Sequence, residues 1–389
     1  MTMGTPTLTP RERVLRTLEH REPDRVPISM TITIDAYNNL KKYMGIEIDE
    51  TPKVGRWTDV AIHPRVAEEY GLDVVRLGNP LDKSRNKVEP TLPQAAFADE
   101  WHCEWGKVER PDGSYYFEMI KHPLADCTKP SDLDGFPWPE PEEIKPEAAE
   151  YFQEVRETTD LAIMTKIGGA VFELATYMSG HQKWYTDLAI HPEFAYAVME
   201  RIAEIQAQRD INALKTLGKY IDVLRLSGED MGTQEGPLIS LKMFRELVKP
   251  HLQKVWSTAK EHLTAGNPRG KIMLHSCGAV RGFMKEWADM GLDVLDPIQT
   301  RAKGMDTALI KQEVGDQLSF HGAIDIQWLL PHGTPDEVKA DVRKRMQDLG
   351  PGGGYIVAPS HNVQSDTPPE NLIAMRDAVW EYGNYPIEQ

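Results

Sequence analysis

Residues 271–280 read Lys-Ile-Met-Leu-His-Ser-Cys-Gly-Ala-Val, so an apolar run leads into His275, Cys277 and a glycine. The run predicts a buried strand that ends at a turn. Because side chains alternate between the two faces of a strand, His275 and Cys277 point the same way. Imidazole nitrogen and thiolate sulfur are ligands that Zn²⁺ prefers, so the pair is half of a candidate metal site. The alternative is a buried cysteine beside a hydrogen-bonded core histidine.

Seven other short apolar segments have the same strand-like character, and helical patterns separate most of them. The eight strand candidates are 26–34, 72–77, 161–167, 221–226, 271–276, 292–295, 318–320 and 354–357. Alternation of strands with helices predicts a parallel sheet, and eight such units in one chain predict a closed (β/α)8 TIM barrel. A doubly wound open sheet is the alternative, but no glycine-rich nucleotide-binding turn follows the first strand.

Two parts of the chain lie outside this alternation. Residues 9–12, Thr-Pro-Arg-Glu, form a capping box that predicts an N-terminal helical extension. Segments 97–108 and 114–120 alternate around Pro-Asp-Gly at 111–113, which predicts a β-hairpin.

The hairpin and a proline-rich connector at 136–141 interrupt the strand–helix rhythm. We therefore expect one barrel domain over residues 1–389, with residues 80–160 as an insertion after the second strand.

The composition excludes several classes of protein. The net charge of −16 argues against nucleic-acid binding, because phosphate contacts need clustered lysine and arginine. Three cysteines in 389 residues give no disulfide framework, which favours a reducing cytoplasm. The N-terminus lacks a secretion signal, and no apolar run reaches the length of a membrane span. We expect a cytoplasmic protein that binds neither nucleic acid nor membrane, and a homodimer is compatible with the sequence.

The carboxyl ends of the strands are where a barrel of this kind carries its chemistry. Chemically capable residues follow the last five strand candidates: Glu229, Asp230, His275, Cys277, Asp296, Gln299, His321, Asp325, Gln327 and His361.

Among these residues, His361 is the best third ligand for a metal at His275 and Cys277. Three protein ligands with an open fourth position are typical of a catalytic zinc.

The remaining strand-end residues are candidates for catalysis and substrate binding. Glu229 is a candidate fourth ligand or general acid–base, with helix capping or pairing with an arginine as the alternative, and Asp230 is a candidate catalytic neighbour. Asp325, Gln327 and Gln299 offer hydrogen bonds to a polar substrate. For Asp325 and Gln327, the alternative is turn and cap chemistry.

Several stretches resemble the uroporphyrinogen decarboxylase-like superfamily, and within it the zinc-dependent branch that contains cobalamin-linked methyltransferases. The resemblance covers most of the chain and rests on residues 10–14, 24–27, 228–234, 236–240, 275–278, 321–325, 353–359 and 366–371.

The resemblance implies a (β/α)8 barrel, a zinc ion and a corrinoid carried by a partner protein. In the methyltransferase branch, a His-x-Cys pair and a later cysteine bind zinc. His275 and Cys277 match the pair, but His361 stands near the position of the later cysteine. A site with one thiolate fewer than the family's zinc site is a stronger Lewis acid. Such a site fits an ether or carboxylate oxygen better than a thiol.

The leading hypothesis is a zinc-dependent methyltransferase that moves a methyl group from a small methoxylated or methylated compound to a corrinoid protein. A metal-assisted or metal-free decarboxylase of a small carboxylic acid or tetrapyrrole is the first alternative. A barrel that binds a ligand without turning it over is the second. True uroporphyrinogen decarboxylases lack the His-x-Cys pair, so His275 and Cys277 favour methyl transfer.

Overall fold

The computed structural model describes residues 7–50, 52, 54–55, 58–109, 113 and 115–388. Its centre is a curved sheet of parallel strands in the order β12-β11-β10-β9-β8-β7-β3. In chain order, the strands are β1 Ile32–Thr33, β2 Asp59–Val60, β3 Val74–Leu77, β4 Ala95–Ala98, β5 Glu104–Glu109, β6 Tyr115–Lys121, β7 Ala162–Thr165, β8 Val223–Gly228, β9 Lys271–His275, β10 Val294–Ile298, β11 Ser319–Ile324 and β12 Tyr355–Pro359.

Residues 26–32 fill the remaining gap in the barrel wall. The N–H of Ser29 donates to the carbonyl of Val357 on β12 (2.9 Å), and the N–H of Asp73, beside β3, donates to the carbonyl of Ile28 (2.9 Å). These bonds join the segment to both edges of the sheet, so the predicted (β/α)8 TIM barrel is confirmed. The predicted first strand at 26–34 is not a regular strand, because Pro27 has no N–H to donate.

The helices mostly surround the sheet. Their bounds are α1 Pro10–Leu18, α2 Ile34–Met44, α3 Pro64–Tyr70, α4 Pro146–Thr158, α5 Phe172–Ser179, α6 His181–Ile190, α7 Pro192–Leu217, α8 Leu241–Met243, α9 Lys249–Gly266, α10 Arg281–Asp289, α11 Thr307–Val314, α12 Leu329–His332, α13 Pro335–Leu349 and α14 Pro369–Tyr382. A π-helical turn at Phe244–Val248 joins α8 to α9. Across the described ranges, no helix combines the length and the apolar character that crossing a membrane requires.

Helix α1 closes the amino-terminal end of the barrel. Thr9 caps it by accepting the N–H of Glu12, as the capping box predicts. Its Val14 and Leu18 pack against one inward-facing set of side chains, which we call the apolar layer: Val74, Ala162, Met164, Val223, Met273, Val294 and Ile356. The barrel interior is therefore a packed core at this end.

The predicted hairpin is present as β5 and β6, which pair antiparallel. The predicted strand at 97–108 is instead two strands, β4 and β5, in a three-stranded sheet. The carboxylate of Asp99 accepts the N–H groups of Trp101 and Cys103 and so stabilises a turn between β4 and β5. Of the predicted Pro-Asp-Gly turn, 111–112 lie outside the described residues. The division into one domain with an insertion at 80–160 stays a prediction.

A buried ion-pair network fastens α1 to the barrel. The guanidinium of Arg13 is only 2% exposed and donates to Asp24 (2.6 Å) and to Asp73. Arg25 donates to the other oxygen of Asp73 (2.8 Å). Burial alone would raise the pKa of Asp24, but the hydrogen bonds from Arg13 and from backbone N–H groups lower it to about 2.

We expect Arg13→Leu to lower the free energy of unfolding by about 3–5 kcal/mol, because it leaves Asp24 without its arginine partner and removes one of the two arginines that pair with the buried Asp73. Urea denaturation at pH 7 measures the change. The pKa of Asp24 is lower in the folded state, so its share of stability is complete above pH about 4 and disappears as the pH falls toward 2.

Arg201→Leu is the control, since Arg201 forms an exposed pair with Glu204 on α7. Such pairs contribute at most about 1 kcal/mol. Equal losses in the two variants would contradict the proposed role of the network.

Candidate metal centre

Three side chains at the carboxyl ends of two strands, β9 and β12, converge on one point. His275 is the last residue of β9, Cys277 follows it by two positions, and His361 lies just beyond β12. One donor atom from each lies within 4.8 Å of the other two. The Nε2 atom of His275 is 3.4 Å from the sulfur of Cys277, and the two imidazole rings are 5.4 Å apart between centroids. The structure thus brings together the three predicted metal ligands.

The turn after β9 fixes the position of Cys277. Its N–H donates to Asp230 (2.9 Å), and the next N–H, of Gly278, donates to Gln299 (2.7 Å). Gly278 has φ +87°, and a Cβ there would lie 2.5 Å from the carbonyl carbon of Gly232. Only glycine fits this position, so the glycine after the cysteine is required by the close approach of the two loops.

A shared carboxylate supports His275 from behind. Asp296 is the register partner of His275 on β10 and accepts a hydrogen bond from its Nδ1 (2.7 Å). The other oxygen of Asp296 accepts from Nδ1 of His321 (2.7 Å), and Arg225 donates to the first oxygen (3.2 Å). We call Arg225, His275, Asp296 and His321 the polar layer.

The ionised carboxylate of Asp296 keeps a hydrogen on Nδ1 of His275. Burial alone would raise the pKa of Asp296, but the two histidines lower it well below 3.8. An ionised carboxylate only accepts, so Nδ1 of His275 donates to it, and Nε2, which faces Cys277, is the nitrogen that would give up its proton to a metal. A carboxylate behind a histidine is the arrangement that orients metal-ligating imidazoles.

The ligand atoms hold protons that a metal would displace. Burial alone would lower the pKa of His275, but the Cys277 thiolate and Asp296 raise it to about 10. Burial also raises the pKa of the Cys277 thiol, and the charges of Asp230 and Asp296 add to this effect. Burial and the charge of His275 lower the pKa of His361 to about 4.

We therefore expect Zn²⁺ binding at pH 7.5 to release about one to two protons from the His275–Cys277 pair, because metal ligands must be deprotonated. His361 is already neutral at that pH and releases none. Titration calorimetry in buffers of different ionisation enthalpy counts the protons. The affinity should rise with pH between 7 and 8.5, and an affinity that falls over this range would contradict the assignment.

Glu229 and Asp230, predicted as catalytic residues, have different surroundings. Glu229 is completely buried, and its carboxylate accepts the N–H groups of Val171 (2.6 Å) and Glu173 (2.9 Å) at the start of α5. Asp230 is nearer the three ligands, since its Oδ1 is 4.0 Å from Nε2 of His275. The catalytic assignments of both residues stay predictions.

Glu173 is a residue of the site that the sequence reasoning missed. Gly228 at the end of β8 is the ladder partner of His275, and a Cβ added there would lie 2.1 Å from a carboxylate oxygen of Glu173. The carboxyl group thus fills the space next to His275, with Tyr177 donating to it. Burial and the charge of Asp230 raise the pKa of Glu173. Its signal in the sequence is its position at the start of the helix that follows β7, near the carboxyl end of that strand.

A cavity of about 150 Å³ opens beside the ligands. Cys277 and His361 line it, and so do the predicted substrate-binding residues Gln299, Asp325 and Gln327. The carboxylate of Asp325 accepts the N–H groups of Gln327 and Leu329, which is turn chemistry. Gln299 and Gln327 offer amide groups to a polar ligand, and their binding roles stay predictions.

The three donors fit a zinc ion. Two imidazoles and one thiolate are N and S ligands of the kind Zn²⁺ prefers, and the cavity adjoins both Cys277 and His361. His361, with its low pKa, presents a neutral nitrogen at pH 7. A zinc ion held there would have three protein ligands and room for a fourth from outside the protein.

The fold and the site together define a (β/α)8 barrel with a candidate metal centre at the carboxyl ends of its strands. The family model for uroporphyrinogen decarboxylase (URO-D) matches residues 120–382. The chain therefore belongs to the uroporphyrinogen decarboxylase family, whose wider superfamily includes a methyltransferase branch.

Individual relatives come from both branches. The chain is 24% identical over 377 residues to uroporphyrinogen decarboxylase of Alkalilimnicola ehrlichii, covering 95% of this chain and 93% of that protein. It is 30% identical over 145 residues to methylcobamide:CoM methyltransferase MtaA of Methanosarcina barkeri, covering 37% of this chain and 38% of that protein. A solved methyltransferase from Methanosarcina mazei has the same fold, with a TM-score of 0.63 and 20% identity over 96% of this chain and 99% of that one.

Proposed function

We propose that the protein is a zinc-dependent methyltransferase. It would take a methyl group from a small methoxylated or methylated compound and transfer it to a corrinoid carried by a partner protein. The observation that carries this proposal is the convergence of His275, Cys277 and His361 on one point beside a cavity. The similarity to MtaA, a methylcobamide methyltransferase by name, supports it.

Different residues of the chain would bind the metal and the substrate. His275, Cys277 and His361 would hold a zinc ion, which when bound supplies Lewis-acid polarisation of the heteroatom that bears the methyl group. Gln299 and Gln327 would orient the substrate through amide hydrogen bonds from the cavity wall.

Glu173 or Asp230 would exchange a proton with the leaving heteroatom. Both oxygens of Glu229 accept backbone N–H groups, so we assign Glu229 to holding the start of α5. Glu173 lies beside His275, and its raised pKa favours a carboxyl group that holds a proton to donate.

The reaction moves a methyl group and leaves an electron pair behind. The bond between the methyl carbon and the substrate heteroatom breaks, the pair stays on the heteroatom, and the methyl carbon bonds to the reduced cobalt of the corrinoid. A site with one thiolate is a stronger Lewis acid than one with two. His361 therefore favours a methyl group bonded to oxygen over one bonded to sulfur.

Decarboxylation is the second candidate, because the similarity to the Alkalilimnicola ehrlichii decarboxylase extends over nearly the whole chain. The polar layer and the three converging donors argue against a metal-free pocket for a tetrapyrrole. A metal-assisted decarboxylase of a small acid would use the same donors to stabilise an enolate.

We expect the purified protein to contain about one zinc ion per chain, because three N and S ligands beside an open position are typical of a catalytic zinc site. Cys277→Ala and His361→Ala should each lose most of it. Cys127→Ala is the matched control, since Cys127 lies in the insertion and is not part of the converging group. Metal analysis by mass spectrometry after gel filtration measures the content. Full zinc in Cys277→Ala would show that the ion lies elsewhere.

Incubation with methoxylated compounds and a reduced corrinoid protein tests the reaction. We expect the visible spectrum to change from the reduced to the methylated corrinoid in the wild type and in Cys127→Ala. At least a hundredfold slower change is expected in Cys277→Ala, because the site loses its thiolate ligand. Release of carbon dioxide from a small acid, with no change in the corrinoid spectrum, would favour the decarboxylase.

A further inference from the structure

His321 is a buried imidazole to which the proposed function gives no role. It is 3% exposed and lies on β11, two strands away from β9, which carries His275. Its Nδ1 is 2.7 Å from Oδ1 of Asp296, while its Nε2 is buried and makes no hydrogen bond among the described residues. Burying a polar nitrogen without a partner is unfavourable, so an apolar side chain would serve packing alone better.

The polar layer has a fixed place in the barrel. His275 lies two residues after Met273 on β9, and Asp296 lies two residues after Val294 on β10. Met273 and Val294 belong to the apolar layer. Alternate residues share a face, so His275 and Asp296 point into the barrel above the apolar layer. His275, Asp296 and His321 lie side by side on three neighbouring strands.

The carboxylate of Asp296 is held from two sides. Its Oδ2 meets Nδ1 of His275 and the guanidinium of Arg225, and its Oδ1 meets His321. The terminal torsion of an aspartate side chain has a broad preference, so packing alone does not fix the plane of the carboxylate. A donor on Oδ1 removes that freedom and keeps Oδ2 directed at His275.

We propose that His321 is a positioning residue of the metal centre. By holding Asp296, it keeps His275 in the tautomer and orientation that direct Nε2 toward Cys277 and His361. This inference rests on the proposed zinc site, and its claim is that a residue outside the ligand set determines how tightly the metal binds.

Competition with a chromophoric chelator measures the Zn²⁺ dissociation constant of each variant. We expect His321→Leu and His321→Met to bind Zn²⁺ about tenfold more weakly, the lower end of the range for loss of a partner behind a metal ligand, because His321 acts through Asp296. His321→Asn should stay within about threefold of the wild type, because its amide N–H can replace the Nδ1–H donor. Asp296→Asn, which keeps the shape but loses the charge, should also weaken binding about 10–100-fold.

The ¹⁵N spectrum of metal-free, ¹⁵N-histidine-labelled protein supplies a second readout. We expect the Nδ1–H of His275 to be hydrogen-bonded to a carboxylate and slow to exchange in the wild type and in His321→Asn, and to exchange faster in the apolar variants. A purely structural role would lower the urea midpoint without moving either readout. Either of the two apolar variants suffices if the other does not fold.

The outcomes separate this inference from the proposed function. If the wild type binds Zn²⁺ and the apolar variants bind it equally well, the role of His321 is wrong and the zinc site stands. If the wild type binds no Zn²⁺, the proposed function fails. The ¹⁵N spectra then decide whether His321 and Asp296 hold the Nδ1–H of His275 in place, and an unchanged spectrum in both apolar variants would overturn the inference.

Discussion

Strand register is the constraint on which the rest of this molecule depends. In a barrel of parallel strands, every second side chain faces the interior, and neighbouring strands place their inward residues side by side. On β9, the sequence of inward positions is Met273, His275 and then Cys277 beyond the strand end. A single shift of β10 against β9 would remove Asp296 from His275 and turn an apolar residue toward it. Packing of the apolar layer against α1 opposes such a shift, so the core at one end of the barrel stabilises the chemistry at the other.

The same constraint explains why the polar groups of the site are tolerated inside a barrel. Buried charges are unfavourable unless they are paired and hydrogen-bonded. Asp296 meets two imidazoles and a guanidinium, and Glu229 meets two backbone N–H groups. The charge of Asp296 is therefore balanced where it lies, whereas burial raises the pKa of Glu229 well above its ordinary value despite the two N–H groups. These bonds also hold the loops and strand ends that carry the donors.

Much of the barrel could be predicted from the sequence, because its signals are local. Strand β9 lies within the predicted segment 271–276, and Thr9 caps α1 as expected. The irregular shape of the wall segment at 26–32 could not be predicted, because it follows from a proline and from hydrogen bonds to two distant strands. The turn at Asp99 was missed for a related reason. A side chain that caps a turn leaves no trace in an apolar pattern.

In the candidate site, too, the residues with local signals could be predicted and the contacts between distant segments could not. His275 and Cys277 could be found from strand alternation, and His361 from its position after the last strand. The sharing of Asp296 between His275 and His321 depends on register across three strands, which an apolar pattern does not specify. Glu173 reaches the site from a helix after the loop of another strand, through space that Gly228 leaves open. Glycine gives no hint in the sequence of which side chain fills the space beside it.

One cysteine and two histidines are proposed to form an open metal site at the barrel mouth. Zinc K-edge X-ray absorption of the zinc-loaded protein identifies the atoms bound to the ion. We expect one sulfur at about 2.3 Å, with the remaining ligands being nitrogen or oxygen at about 2.0–2.2 Å. Two or more sulfur ligands would mean that Cys103 or Cys127 takes part, and a shell without sulfur would mean that Cys277 does not. Either result would contradict the claim.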